Sequence, residues 1–280
     1  MTGSGVTGER TGERIDQRIA RRSPELSAGE RRAAQTLLAH LDDLATYRAA
    51  ELAALAGVSK ATMSRLFRSL GFTDFDEVRD HLRALRGTGE PRPPAGPPDL
   101  TAHAGHEAAA IAAAVRQPAL ADAVELLAGA RAVLVVGWRN SHPVALHLRE
   151  QLVQARPRVQ LAPLPGQVLG EELADLGPGD VVVAVGFRRR PAGFAAFLAA
   201  AAATGADVVL LADPTAAGLA GCARAWLECP VGGPLAFDSY AAAMSVVGVL
   251  ADGVLARAGQ AGRERVAAIS ATYDRMAEVE

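Results

Sequence analysis

Between residues 49 and 72 the apolar positions fall at helical spacing twice, with a glycine between the two runs. Leu52, Ala53 and Ala56 form one stripe, and Met63, Leu66 and Phe67 form a second, which predicts two short helices. Gly57 can take the positive φ that ends a helix without a Cβ penalty. Val58 plugs the corner, and Ser59 is placed to cap a second helix opening at Lys60. The small residues Ala53 and Ala56 let the two helices cross closely. This pattern predicts a helix-turn-helix. Its outer face carries Ser59, Lys60, Ala61, Thr62, Ser64, Arg65 and Arg68, and neither helix has an acid after Glu51. Lys60, Arg65 and Arg68 therefore offer unopposed positive charge, and these seven residues are the expected contacts to double-stranded DNA.

Around this pair the pattern predicts a small helical domain over residues 25–86. Ser27 and Glu30 have the S-x-x-E spacing of a capping box, followed by a stripe of Ala33, Leu37, Leu38 and Leu41. Phe72 and Phe75 join the core, and a helix over residues 76–85 closes the domain. Residues 1–24 are rich in Gly and Thr, lack apolar periodicity and hold five Arg against Glu9, Glu13 and Asp16. They are expected to be a disordered tail. Residues 87–100 open with GTGEPRPPAGPP, whose prolines stiffen it into an extended linker.

From residue 101 to 280 the pattern changes to helices alternating with short, continuously apolar runs. Residues 132–136, 159–162, 180–185, 207–211 and 225–228 read as strands, the strongest of them apolar throughout, as in strands buried on both faces. Helices are predicted over 108–115, 119–130, 144–155, 169–176, 192–203 and 237–256. The fold class is therefore α/β: an N-terminal all-α helix-turn-helix domain followed by a doubly wound parallel α/β/α sandwich. Such sheets bind ligands beyond the carboxyl ends of their strands, which directs attention to residues 137–143, 186–191 and 212–216.

Composition narrows the chemistry. The 280 residues carry a net charge of −2, so any nucleic-acid surface must be local. Aromatics make up only 4%, and the cores must be built from Ala, Val and Leu. Cys222 and Cys229 are the only cysteines; with no Cys or His cluster at zinc spacing, neither a disulfide framework nor a metal site is expected. His103 and His106 lack an accompanying ligand, and no cofactor is implied. The sequence shows no signal-peptide pattern, and its longest apolar run is broken by Gly205 and Asp207. A cytoplasmic protein is expected.

The motifs L-S-x-x-E-R, A-E-L-A-x-x-A-G-V-S-x-A-T and L-G-F, all present between residues 26 and 72, resemble those of the RpiR/MurR family of bacterial transcriptional regulators. The resemblance implies a second domain of the sugar isomerase (SIS) type that binds a carbohydrate derivative. In such domains the loop after the first strand has a G-x-G-x-S form and the loop after the third is rich in Ser, so that hydroxyls and glycine N–H groups enclose a phosphate. This chain departs from both. Its first loop reads Gly137-Trp138-Arg139-Asn140-Ser141-His142, and its third-strand loop reads Gly186-Phe187-Arg188-Arg189-Arg190.

These eleven residues are the expected effector contacts. Three arginines can bind phosphate or carboxylate by charge and in bidentate fashion, while Trp138 and Phe187 could stack on a ring or equally cover the sheet edge. Asp238 and Ser239 read as a helix cap, and Asp213 as a turn. The expected function is a ligand-responsive, DNA-binding homodimer or homotetramer, with an anionic phosphorylated or acidic metabolite as effector. One alternative is a regulator whose second domain only oligomerises. A sugar-phosphate isomerase is a further alternative, for which His142 and Glu228 are the candidate bases. The Ala-rich faces of residues 108–115 and 241–255 are the expected dimer interface.

Overall fold

A computed structural model describes residues 15–39, 47–88 and 97–278, which divide into two compact units at Glu90/Pro91. The first unit holds helices α1 (Ile15–Arg22), α2 (Ala28–Ala39), α3 (Ala49–Leu55), α4 (Lys60–Ser69) and α5 (Phe75–Thr88). Its core gathers Leu37, Leu52, Met63, Leu66, Phe67, Phe72 and Val78. The capping box forms: the Ser27 N–H donates to Glu30 Oε2 at 2.9 Å, and the Glu30 N–H donates to Ser27 Oγ at 3.3 Å. Leu38 lies on the rim at 39% exposure, and Leu41 is outside the described residues.

Residues 15–24, expected to belong to a disordered tail, instead form α1 and most of a 3-10 turn. Ile15 and Ile19, one helical turn apart, are buried in the core. Arg18 donates to the Leu70 carbonyl at 3.2 Å and lies 4.6 Å from the centre of the Phe72 ring. Two buried isoleucines in a short, Arg-rich helix were too sparse to register as a period. Residues 1–14 of the expected tail and residues 89–96 of the expected linker lie outside the described residues. The linker's two ends belong to helices, since α5 runs to Thr88 and α6 starts at Leu100 behind the cap of Asp99, which accepts from the Thr101 and Ala102 N–H groups.

The second unit is a five-stranded parallel sheet in the order β2-β1-β3-β4-β5, with β1 at Val133–Gly137, β2 at Val159–Ala162, β3 at Val181–Val185, β4 at Asp207–Ala212 and β5 at Ala225–Glu228. Alternate residues serve opposite faces. Val133, Val135, Val181, Val183, Val209 and Leu211 pack with α6 (Leu100–Ala114), α7 (Ala119–Gly129), α8 (His142–Ala155) and α11 (Ala241–Met276). Leu134, Val136, Val182, Ala184, Val208 and Leu210 pack with α9 (Leu169–Ala174) and α10 (Phe194–Ala203). Burial on both faces is why these strands read as unbroken apolar runs. Asp180, 1% exposed, ends the turn into β3 and pairs with Arg131, whose guanidinium holds the carboxyl below its usual range.

Most helices fall within two or three residues of their expected bounds, and two depart further. α6 begins eight residues early, at Leu100, and α11 continues past residue 256 to Met276 through a kink at Gly259. Among the described residues α11 alone is long and apolar enough to cross a membrane. Its first half is instead core, with Ala242, Ala243, Val246, Val247, Leu250 and Val254 buried against the sheet and its helices. That packing also absorbs Ala110 and Ala114 of α6, so the two Ala-rich faces expected to form a dimer interface are largely used inside the domain.

Candidate DNA interface and effector crevice

The turn between α3 and α4 follows from two residues. Gly57 has φ 59°, and the Val58 N–H donates to the Ala53 carbonyl at 3.0 Å to close the helix end. Ser59 Oγ accepts the Thr62 N–H at 3.1 Å, capping α4. Gly57→Val is expected to destabilise the first unit by about 1–3 kcal/mol, because a β-branched residue is strained at positive φ. Space is not the obstacle, since nothing lies within 4 Å of an added Cβ. Thermal unfolding of the variant checks this, and an unchanged Tm would refute it.

α4 buries Met63, Leu66 and Phe67 and leaves Lys60, Ala61, Ser64, Arg65 and Arg68 exposed, with Ser59 exposed at the cap and Thr62 half-buried. Arg65 donates to Thr62 Oγ1 at 3.3 Å, and Arg68 Nε donates to the Ser64 carbonyl at 3.2 Å. The exposed face is thus continuous, polar and basic. One acid approaches it from another helix: Glu30, whose carboxyl is held low by Ser27 first, then by Ser69 and, more weakly, by the charge of Arg65. The face is therefore not wholly unopposed, as a view of α3 and α4 alone suggested.

In the second unit the chain runs from β1 outward to β2 and then returns to β3 on the other side of β1. Doubly wound sheets take ligands at such a reversal, beyond the carboxyl ends of the two strands, which here makes residues 137–143 and 186–191 the candidate effector crevice. Ser141, 6% exposed, accepts the Phe187 N–H at 3.0 Å and so joins the two loops. His142 Nδ1 lies 3.1 Å from the Gly137 carbonyl. Gly186 is needed for packing, since a Cβ there would sit 2.1 Å from the Phe194 ring.

The aromatic residues of both loops turn inward. Phe187 is 1% exposed and meets Tyr240 edge-on at 5.2 Å; Trp138 packs edge-on against Phe194 and Phe197. Of the two roles open to these rings, stacking on a ligand or covering the sheet edge, the structure shows both engaged in the second. Arg139 and Arg189 are exposed and hold left-handed backbone, φ 52° and 59°, and Asn140 is exposed on the first loop.

In the third-strand loop Arg188 and Arg190 pair with internal carboxylates. Arg188 Nε donates to Asp238 Oδ2 at 3.0 Å, with the Arg188 and Asp238 side chains only 11% and 17% exposed. Burial, the largest single influence, would lower the Arg188 pKa, but the hydrogen bond to Asp238 together with the charges of Asp238, Asp213 and Tyr240 outweighs it and raises the pKa. Arg190 donates to Asp213 Oδ1 at 2.7 Å, to the Gly186 carbonyl at 2.8 Å and to Thr215 Oγ1 at 2.6 Å. Asp213, 1% exposed, also accepts the Thr215 N–H at 3.2 Å and so caps the 3-10 helix that follows its turn. Asp238 and Asp213, which in sequence look like a cap and a turn, are thus counter-ions of the arginine loop. Tyr240 belongs here too: it takes a hydrogen bond from Asn140, while burial and then the Asp238 carboxylate push its hydroxyl pKa up.

Residues 14–85 match the family model described as the helix-turn-helix domain of the rpiR family. Among solved structures, the sugar isomerase domain of an RpiR transcription factor from Sphaerobacter thermophilus is 27% identical, covers 63% of this chain and 98% of its own, and superposes with a TM-score of 0.56. The Vibrio vulnificus NanR protein complexed with ManNAc-6P is 18% identical, covers 94% of this chain and 99% of its own, and also gives a TM-score of 0.56, which shows a shared fold. No curated protein matches the chain.

Proposed function

From a chain that joins an rpiR-family helix-turn-helix domain to an α/β domain of the sugar isomerase fold, we propose a cytoplasmic, ligand-responsive transcriptional regulator that binds double-stranded DNA as a homodimer or homotetramer. The observation that carries this reading is the exposed face of α4, where Lys60, Arg65 and Arg68 stand on one side of a capped helix whose other side is buried. One such helix reads only a few base pairs. Two copies give useful specificity and impose two-fold symmetry on the site.

The effector belongs in the crevice between the β1 and β3 loops and is an anionic, carbohydrate-related metabolite. Arg139, Asn140 and Arg189 offer exposed contacts there, and Arg188 and Arg190 become available as an incoming anion displaces Asp238 or Asp213. ManNAc-6P, held by NanR, is an anion of this class. Because Asp238 and Asp213 already offset Arg188 and Arg190, a single phosphate or carboxylate suffices as the anionic group.

Isomerase chemistry is less well supported. The His142 ring is engaged with the Gly137 carbonyl, and Glu228 lies on β5, separated from the crevice by β4. A specific observation favours the assembly-only alternative: Ser141, Arg188 and Arg190 all spend polar groups on the protein itself.

Fluorescence anisotropy of the full chain on a selected two-fold DNA site, titrated with phosphorylated and acidic sugars, separates these readings. An effector-responsive protein changes its DNA affinity about tenfold or more with one of the anions. Tight DNA binding that no anion alters supports the assembly-only reading, and failure to bind any duplex overturns the regulator itself.

A further inference from the structure

The second half of α11 carries an apolar stripe that lies beyond its own domain's core. On α11 that core ends at Val254, with Leu255 half-buried against it, and Gly259 then breaks the helical backbone at φ 57°, ψ −124°. Past the kink Gly262, Val266, Ile269, Tyr273 and Met276 recur at alternating spacings of four and three, the seven-residue period of a paired helix. Val266 and Ile269 are half-buried, while Tyr273 and Met276 are 37% and 60% exposed. Arg265 Nε donates to the Val153 carbonyl of α8 at 2.8 Å and fixes the root of this segment. From there the helix runs on about 16 Å to Met276. A short helix containing β-branched Val266, Ile269 and Thr272 gains little stability from propensity and depends on a packed face.

We infer that this stripe pairs, antiparallel and about a two-fold axis beside Ile269, with the same stripe of a second copy of the chain. The charges select both the partner and the direction. Arg263 and Asp274 stand about three turns apart and so lie on the same edge of the stripe. In an antiparallel pair like edges face each other, and each Arg263 meets the Asp274 of the other copy. In a parallel pair that edge faces the opposite one, which carries Arg265, and arginine meets arginine. The inference rests on the homodimer proposed above and names its contact: the faces of α6 and of the first half of α11 are largely consumed by the core, while this one remains.

Disulfide trapping of the full chain in a Cys222→Ser background tests it. Ile269→Cys should give a covalent dimer on mild oxidation, whereas Ala271→Cys, on the far side of the helix, should not. Arg263→Glu should raise the dimer dissociation constant about tenfold, and adding Asp274→Arg should restore it, which a loss of folding would not allow. Equal trapping at both positions, an intrachain product, or no restoration by the charge swap overturns the inference. A dimer that persists undiminished in Ile269→Asp leaves the homodimer standing and removes this contact from it; a monomeric wild type removes both.

Discussion

Replacing Arg65 and Arg68 together by alanine is expected to abolish sequence preference and to lower affinity for the selected DNA site about 100-fold or more. Both side chains lie on the exposed face of α4, held by Thr62 Oγ1 and the Ser64 carbonyl, so they reach the duplex partly pre-ordered. A bidentate arginine–guanine contact discriminates by about 1–3 kcal/mol, and loss of either arginine also removes charge near the phosphates. Lys60→Ala should behave differently, weakening binding evenly across sequences and reducing the salt slope by about one. Anisotropy titrations on specific and scrambled duplexes at several salt concentrations read both effects. Wild-type affinity and preference in the double variant would refute the assignment of α4 as the reading helix.

The second large effect is expected at Asp238. In Asp238→Ala, Arg188 keeps its half-buried position but loses its carboxylate, and removing one partner of a buried pair costs about 3 kcal/mol or more. The second unit should therefore melt earlier, unless an anion takes the vacated place. Added inorganic phosphate should restore the Tm of this variant while leaving the wild type nearly unmoved, since ligand at about 100 times its dissociation constant returns about 2.7 kcal/mol. Arg188→Met/Asp238→Ala, with no charge left to satisfy, should lose both the defect and the phosphate response. Differential scanning fluorimetry with and without phosphate checks this. Equal phosphate shifts in all three proteins would show that Arg188 is not an anion-accepting group.

The fold was legible wherever burial imposed a simple period. β5 and β2 fall at the expected residues, and β1, β3 and β4 within one residue, because their side chains face apolar layers on both sides. The helix-turn-helix was legible for a different reason: Gly57 and Ser59 are local solutions to local backbone needs. What escaped was long-range. Arg18 finds the Leu70 carbonyl across 52 residues, and no local pattern marks α1 as ordered. The arginine loop was recognised, but its charge state was not, since Asp213 and Asp238 reach it from 23 and 50 residues away. Both carboxylates follow chain segments that the sheet order brings to the same edge. A search for acids at the carboxyl ends of all the strands would have found Asp213, and extending it to the start of the last helix would have found Asp238.

The docking of α1 sets the smallest fragment that can be expected to work in isolation. A DNA-binding piece cut at residue 25 would keep every residue of the reading helix yet lose Ile15 and Ile19, the cation over Phe72 and the donor on the last turn of α4. Its recognition surface would be chemically complete and mechanically unsupported. Weak binding by such a fragment would then report on where the cut was made rather than on how the intact protein reads its site.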